Sequence, residues 1–173
     1  MIKSSPSVLV NTAFVLTMAR YNAEMNRRLF TAAARLTEQG RLMHRGAFWG
    51  SIHGTLCHLL WGDQIWMSRF DGWEKPSVAQ HDSPDMVRDF HELRGARTRT
   101  DAGILEWAAR VDYNWLQQDQ LWFSVSIGRE LRTSRGILVV HFFNHQTHHR
   151  GQVHAMITAA GEKTGDTDLF LIV

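Results

Sequence analysis

Five of the chain's ten histidines stand in one stretch, His141-Phe-Phe-Asn-His145-Gln-Thr-His148-His149-Arg-Gly-Gln152-Val-His154. If the stretch is helical, successive residues turn by about 100°, so His145 and His149 point about 40° apart and lie one turn above the other. Their Cβ atoms then sit about 5–6 Å apart, and two imidazoles at that separation can converge on one ion at metal–nitrogen distances of about 2.0–2.1 Å. Two ligands make a weak site, so a third has to come from another element. The segment Ser51-Ile-His53-Gly-Thr-Leu-Cys57-His58-Leu-Leu-Trp-Gly-Asp63 offers two histidines. His53 and His58 diverge by about 140° on one helix and cannot both face the same ion. His58 shares its surroundings with Leu56, Leu59 and Leu60 and looks inward. His53 is nearer the helix start, where solvent is expected. The spacing therefore selects His58, His145 and His149.

The neighbours of these residues have plainer expectations. His141 lies one turn before His145 and reads as core packing, with a fourth-ligand or supporting role as the alternative. Gln152 falls within about 20° of His145 and can face the site. His148 and His154 point elsewhere, towards solvent or an interface. Three neutral imidazoles leave a divalent ion with its full charge and at least one open position, the pattern of catalytic rather than structural sites. Imidazole suits nickel and zinc, and also iron and manganese.

These residues must be positioned by helices. Four stretches carry apolar residues at helical spacing. The first runs from about Pro6 to Glu38, with Gly40 as a stop. The second runs from about Ser51 to Phe70. The third runs from about Asp85 to Val111, with Ser83 as cap, Pro84 at the first helical position and a thin apolar stripe. The fourth runs from about Arg135 to Ala160. Between the last two, the alternation over Trp122–Thr133 around Gly128 predicts a short β-hairpin. The expected fold is all-α, an up-down four-helix bundle with a hairpin before the last helix, as one domain over residues 1–173. The tail from Glu162 to Val173 is expected to pack on another surface.

The motifs Gly46-Ala-Phe-Trp-Gly-Ser-Ile-His-Gly-Thr-Leu-Cys-His58-Leu-Leu-Trp-Gly-Asp63 and His141-Phe-Phe-Asn-His145-Gln-Thr-His-His149-Arg-Gly-Gln152, with Ala19-Arg-Tyr-Asn22 near the start and Gly165-Asp-Thr-Asp168 in the tail, resemble the DinB family over nearly the whole chain. The resemblance implies a four-helix bundle, often dimeric, with three histidines of the second and fourth helices binding a divalent metal. By position those are again His58, His145 and His149. Cys57 stands where such proteins often have Asn, and reads as a small buried residue rather than a ligand. The wider group resembles transferases that use low-molecular-weight thiols. That implies a metal-activated thiol such as bacillithiol, mycothiol or glutathione attacking a small-molecule electrophile. A noncatalytic metal-binding, stress-response or dimerisation module is the alternative. A metal-dependent hydrolase is weaker, because Asp63 points about 140° off the His58 face.

Composition excludes several other classes. The 173 residues include 44% hydrophobic ones, seven Trp and nine Phe, enough to fill a core. One cysteine forms no internal disulfide and no cysteine-rich zinc ribbon. With 19 Lys+Arg against 17 Asp+Glu, the net charge of +2 is too small for a nucleic-acid or membrane-surface partner. No targeting signal stands out, and no window approaches the roughly 18–20 apolar residues that span a bilayer. A cytoplasmic location is expected.

Overall fold

The computed structural model describes residues 9–124 and 127–173. The first turn expected from Pro6 and the hairpin positions 125 and 126 lie outside the described residues. The chain is mostly helical. Helix α1 (Thr12–Ala33) starts where Asn11 Oδ1 accepts the Phe14 N–H at 2.8 Å. It is shorter than expected, because Thr37 caps a separate short helix, α2 (Glu38–Leu42), by accepting the Gly40 N–H. Gly40 therefore lies inside α2 instead of ending α1. Helix α3 (Ile52–Phe70) begins at Ser51, whose hydroxyl accepts the Gly54 N–H at 3.0 Å.

Helix α4 (Phe90–Arg110) starts later than predicted, at an Asp89 cap. The Ser83-Pro84 signal belongs instead to a 3₁₀ turn over Gln80–Asp85. After the short α5 (Tyr113–Leu116), strands β1 (Asp119–Ser124) and β2 (Arg129–Ser134) pair antiparallel, with Asp119 opposite Ser134. Helix α6 (Arg135–Ala159) follows directly. No helix among the described residues is long and apolar enough to cross a membrane.

The four long helices pack around a shared interior, α1 and α3 each against both α4 and α6. One apolar cluster joins Val15 and Ala19 of α1 to Trp66 and Phe70 of α3, Ile104 and Trp107 of α4, and Phe142 and Phe143 of α6. The other joins Leu29 and Phe30 to Ile52 and Leu56, Leu93, Val153 and Ile157. The start of α1 thus meets the ends of α3 and α4 and the start of α6. Helices α1 and α6 run one way, α3 and α4 the other. The alternating up-down order expected from the sequence is corrected on this point, because the long segment 71–89 carries the chain back along the molecule before α4 begins.

Between the two clusters lies a buried polar belt. Arg97 Nη1 donates to Asp63 at 2.6 Å, and Arg97 Nη2 pairs with Asp101 at 2.8 Å. Gln146 Nε2 donates to the other Asp63 oxygen at 2.9 Å, and Asn26 Nδ2 donates to Asp101 at 2.9 Å. The thin apolar stripe of the third helix has its explanation here: Leu93, Arg97, Thr100, Asp101, Ile104 and Trp107 form one continuous buried face, and its middle is polar.

Candidate metal centre

His58 comes from the middle of α3 and His145 and His149 from consecutive turns of α6, the helix packed beside it. One donor nitrogen from each lies within 4.8 Å of the other two. His58 Nε2 and His145 Nε2 are 3.3 Å apart. The His149 ring centre is 4.7 Å from that of His58 and 4.5 Å from that of His145. His58 and His149 are buried and His145 is half-buried. The structure therefore brings together the three histidines that spacing selected.

Two of the three outward nitrogens, those of His58 and His149, are held by neighbours. His58 Nδ1 is 2.9 Å from Ser83 Oγ, and His149 Nδ1–H donates to Gln152 Oε1 at 2.8 Å. Such bonds fix the tautomer and leave Nε2 lone pairs to face the cluster. The Trp49 ring stacks on His58 with centres 3.9 Å apart, and Trp61 lies nearly parallel to it at 5.8 Å. His145 sits against the backbone of α3, where Gly62 makes room: a Cβ there would be 2.8 Å from His145 Cε1. Its Nδ1 is buried without a hydrogen-bond partner.

The donor set fits a divalent cation. Burial first, then neighbouring histidines, His149 foremost, holds His58 and His145 far below the ordinary imidazole range, to about 3. Both are neutral at physiological pH, the form that ligates metal. In the unfolded chain the same groups take up protons near 6.5. The folded state is thus favoured above pH 6.5, and this advantage is lost as pH falls from 6.5 towards 3. Urea unfolding of chelator-treated protein is expected to show stability declining across that window, with a flatter decline in His58→Asn. An equal slope in both proteins would contradict the assignment.

The remaining residues fall out as follows. His53 is buried rather than solvated, since the segment before α4 covers the start of α3 and His53 Nε2–H donates to Val87 O at 2.8 Å. Cys57 donates to the same carbonyl, and burial pushes its thiol up to about 11, so it is a buried residue and no ligand. His141 is exposed rather than core, with its ring 5.1 Å from Trp66 and 6.1 Å from His145. His148 is exposed beside His149, and His154 turns to Thr164. Asp63 is committed to the belt. Sequence reasoning missed Ser83, Trp49, Trp61 and Gly62. Ser83 was read as a helix cap, and nothing local ties it to a histidine 25 positions earlier. The one available signal was Gly62, a glycine inside an apolar helical pattern, which usually marks close packing.

The DinB family model matches residues 9–172. A crystal structure of a DinB-like protein from Bacillus cereus ATCC 10987 superposes with a TM-score of 0.62 at 18% identity, covering 84% of this chain and 90% of that one. At that identity the likeness speaks for the fold alone. No curated protein matches the sequence. Two helical motifs read from the sequence, the histidine cluster they build and a family match over almost the entire length agree, and the chain belongs to the DinB family.

Proposed function

We infer that this protein is a divalent-metal-binding metalloenzyme that transfers a low-molecular-weight thiol to a small electrophile. The observation that carries the reading is the all-imidazole donor set, with His58 and His149 buried and oriented by Ser83 and Gln152 and His145 half-buried beside them. His58, His145 and His149 would hold the ion. Because no carboxylate or thiolate among the described residues joins them, its charge stays undiminished. A divalent ion so held supplies Lewis acidity, lowering the pKa of a thiol or water and polarising a carbonyl. Nickel or zinc suits the site best, with iron or manganese as further options.

The chain's own residues set the rest. Trp49 and Trp61 shield His58, so the approach lies on the His145 and His148 side, where exposure is greater. In the transfer, the thiol sulfur forms a bond to the electrophilic carbon, the leaving group departs with its electron pair, and the thiol proton goes to solvent. The hydrolase alternative is weakened because Asp63, the base candidate considered from the sequence, is engaged by Arg97 and Gln146. Our reading places this chemistry in a single cytoplasmic four-helix-bundle domain that works as a homodimer. A noncatalytic metal-binding module would share the site and differ in turnover.

Metal-loaded protein is expected to consume a chromogenic aryl halide in the presence of bacillithiol, mycothiol or glutathione. His149→Ala should lower that rate to the background. Absence of metal-dependent turnover with all three thiols would overturn the transferase reading and leave the noncatalytic one.

A further inference from the structure

The polar belt holds one cation without a counter-ion in contact. Arg97 meets two carboxylates, whereas no carboxylate among the described residues lies within ion-pair distance of Arg150, which is 5% exposed. Its Nη1 donates to Asn22 Oδ1 and its Nη2 to Thr147 Oγ1, both neutral acceptors. Its guanidinium lies 5.6 Å from the centre of the Tyr21 ring. Asp63 and Asp101 act on it only across the belt. Burial pulls its pKa down to about 10, which still leaves it charged at neutral pH. A buried guanidinium facing only neutral partners is an unfavourable arrangement that an anion in contact would relieve.

Arg150 also lines a cavity of about 200 Å³ between α6 and α1, together with Thr147, Gly151, Tyr21, Met25 and Leu29. One wall is cationic and hydroxyl-bearing, the other apolar. The C-terminal tail closes a side of it: the Tyr21 hydroxyl donates to Thr167 O at 2.6 Å, Arg28 Nη1 donates to Asp166 O at 3.1 Å, and Thr164 Oγ1 lies 2.7 Å from His154 Nδ1. The cavity is on the α1 side of α6, whereas His145 and His149 turn towards α3.

We propose that this cavity binds a small monocarboxylate with a short apolar tail, its oxygens on the Arg150 guanidinium and its carbon chain on Met25 and Leu29. The planar fork of arginine matches a carboxylate in two-point contact, and the apolar wall disfavours a fully hydrated anion such as phosphate.

Calorimetric titration of the full-length protein with sodium butyrate tests the site. Saturable binding is expected with a Kd of about 1 mM. Butyramide, which has the shape without the charge, should not bind, and inorganic phosphate should bind at least about tenfold more weakly. A Cβ at Gly151 meets nothing within 4 Å, so Gly151→Leu can enter the cavity without a backbone clash; it should fold and lose butyrate binding. Arg150→Met should lose it too, and if that variant fails to fold, Gly151→Leu decides. Binding should survive His149→Ala, which separates this site from the histidine cluster. The proposal is overturned by absence of saturable butyrate binding, by equal binding of butyramide or phosphate, by unchanged affinity in Gly151→Leu, or by loss of binding in His149→Ala.

Discussion

Asp63→Ala is expected to destabilise the protein by about 3–5 kcal/mol, because it leaves a fully buried guanidinium short of one partner. Arg97 and Asp63 have side chains only 3% and 1% exposed, so water cannot replace the lost carboxylate. Gln146 would lose its acceptor as well. Asp101 remains in contact with Arg97, but burial pushes its carboxyl up to about 6, so it gives up its charge at mildly acidic pH. Asp101→Asn should therefore cost less than Asp63→Ala. Urea unfolding measures both. Removing all three charges together, Asp63→Ala with Arg97→Met and Asp101→Asn, should recover part of the loss, since no buried charge is then left unpaired. A cost below about 1 kcal/mol for Asp63→Ala would mean that the belt tolerates an open charge.

The second large effect concerns affinity rather than stability. Gly62→Ala places a methyl group 2.8 Å from His145 Cε1 and 3.3 Å from its Nδ1, contacts that force the imidazole away from the cluster. Helix propensity alone favours alanine over glycine by about 1 kcal/mol. The substitution should consequently leave the fold intact, or firmer, while metal affinity falls about 10- to 100-fold, the range seen when groups that orient a ligand are removed. Competition with a chromogenic chelator gives the affinity, and thermal unfolding of the metal-free protein gives the stability. Unchanged affinity would show that the His145 ring has another accessible position.

The histidine cluster was legible in the sequence because each of its pieces is a local pattern. Spacing at i and i+4 makes His145 and His149 neighbours whatever the rest of the chain does, and the leucines around His58 mark an inward face. The hairpin was legible for the same reason, since apolar residues alternate over Trp122–Thr133 on either side of Gly128, and the strands pair with Trp122 opposite Leu131. The third helix was misplaced because Ser83-Pro84 carries a good local start signal that tertiary contact overrides: the Ser83 hydroxyl is spent on His58, and Asp89 starts the helix instead. Helix direction was also beyond local reading. Periodicity gives no sense of travel, and only the length of segment 71–89 hints that α4 runs parallel to α3. The belt escaped notice because Asp63, the Arg97–Asp101 pair and Gln146 are separated by tens of residues and each alone reads as a solvated polar position. His53 shows the same limit, since a helix start is solvent-facing only until another segment covers it.

The central claim, that His58, His145 and His149 together hold one divalent ion, is tested most directly by elemental analysis of untagged protein beside His58→Ala. The account expects one ion per chain in the parent protein and substantially less than one in the variant, with both folded by circular dichroism. Stoichiometric metal retained by His58→Ala, or none taken up by the parent protein from nickel or zinc in excess, would contradict it.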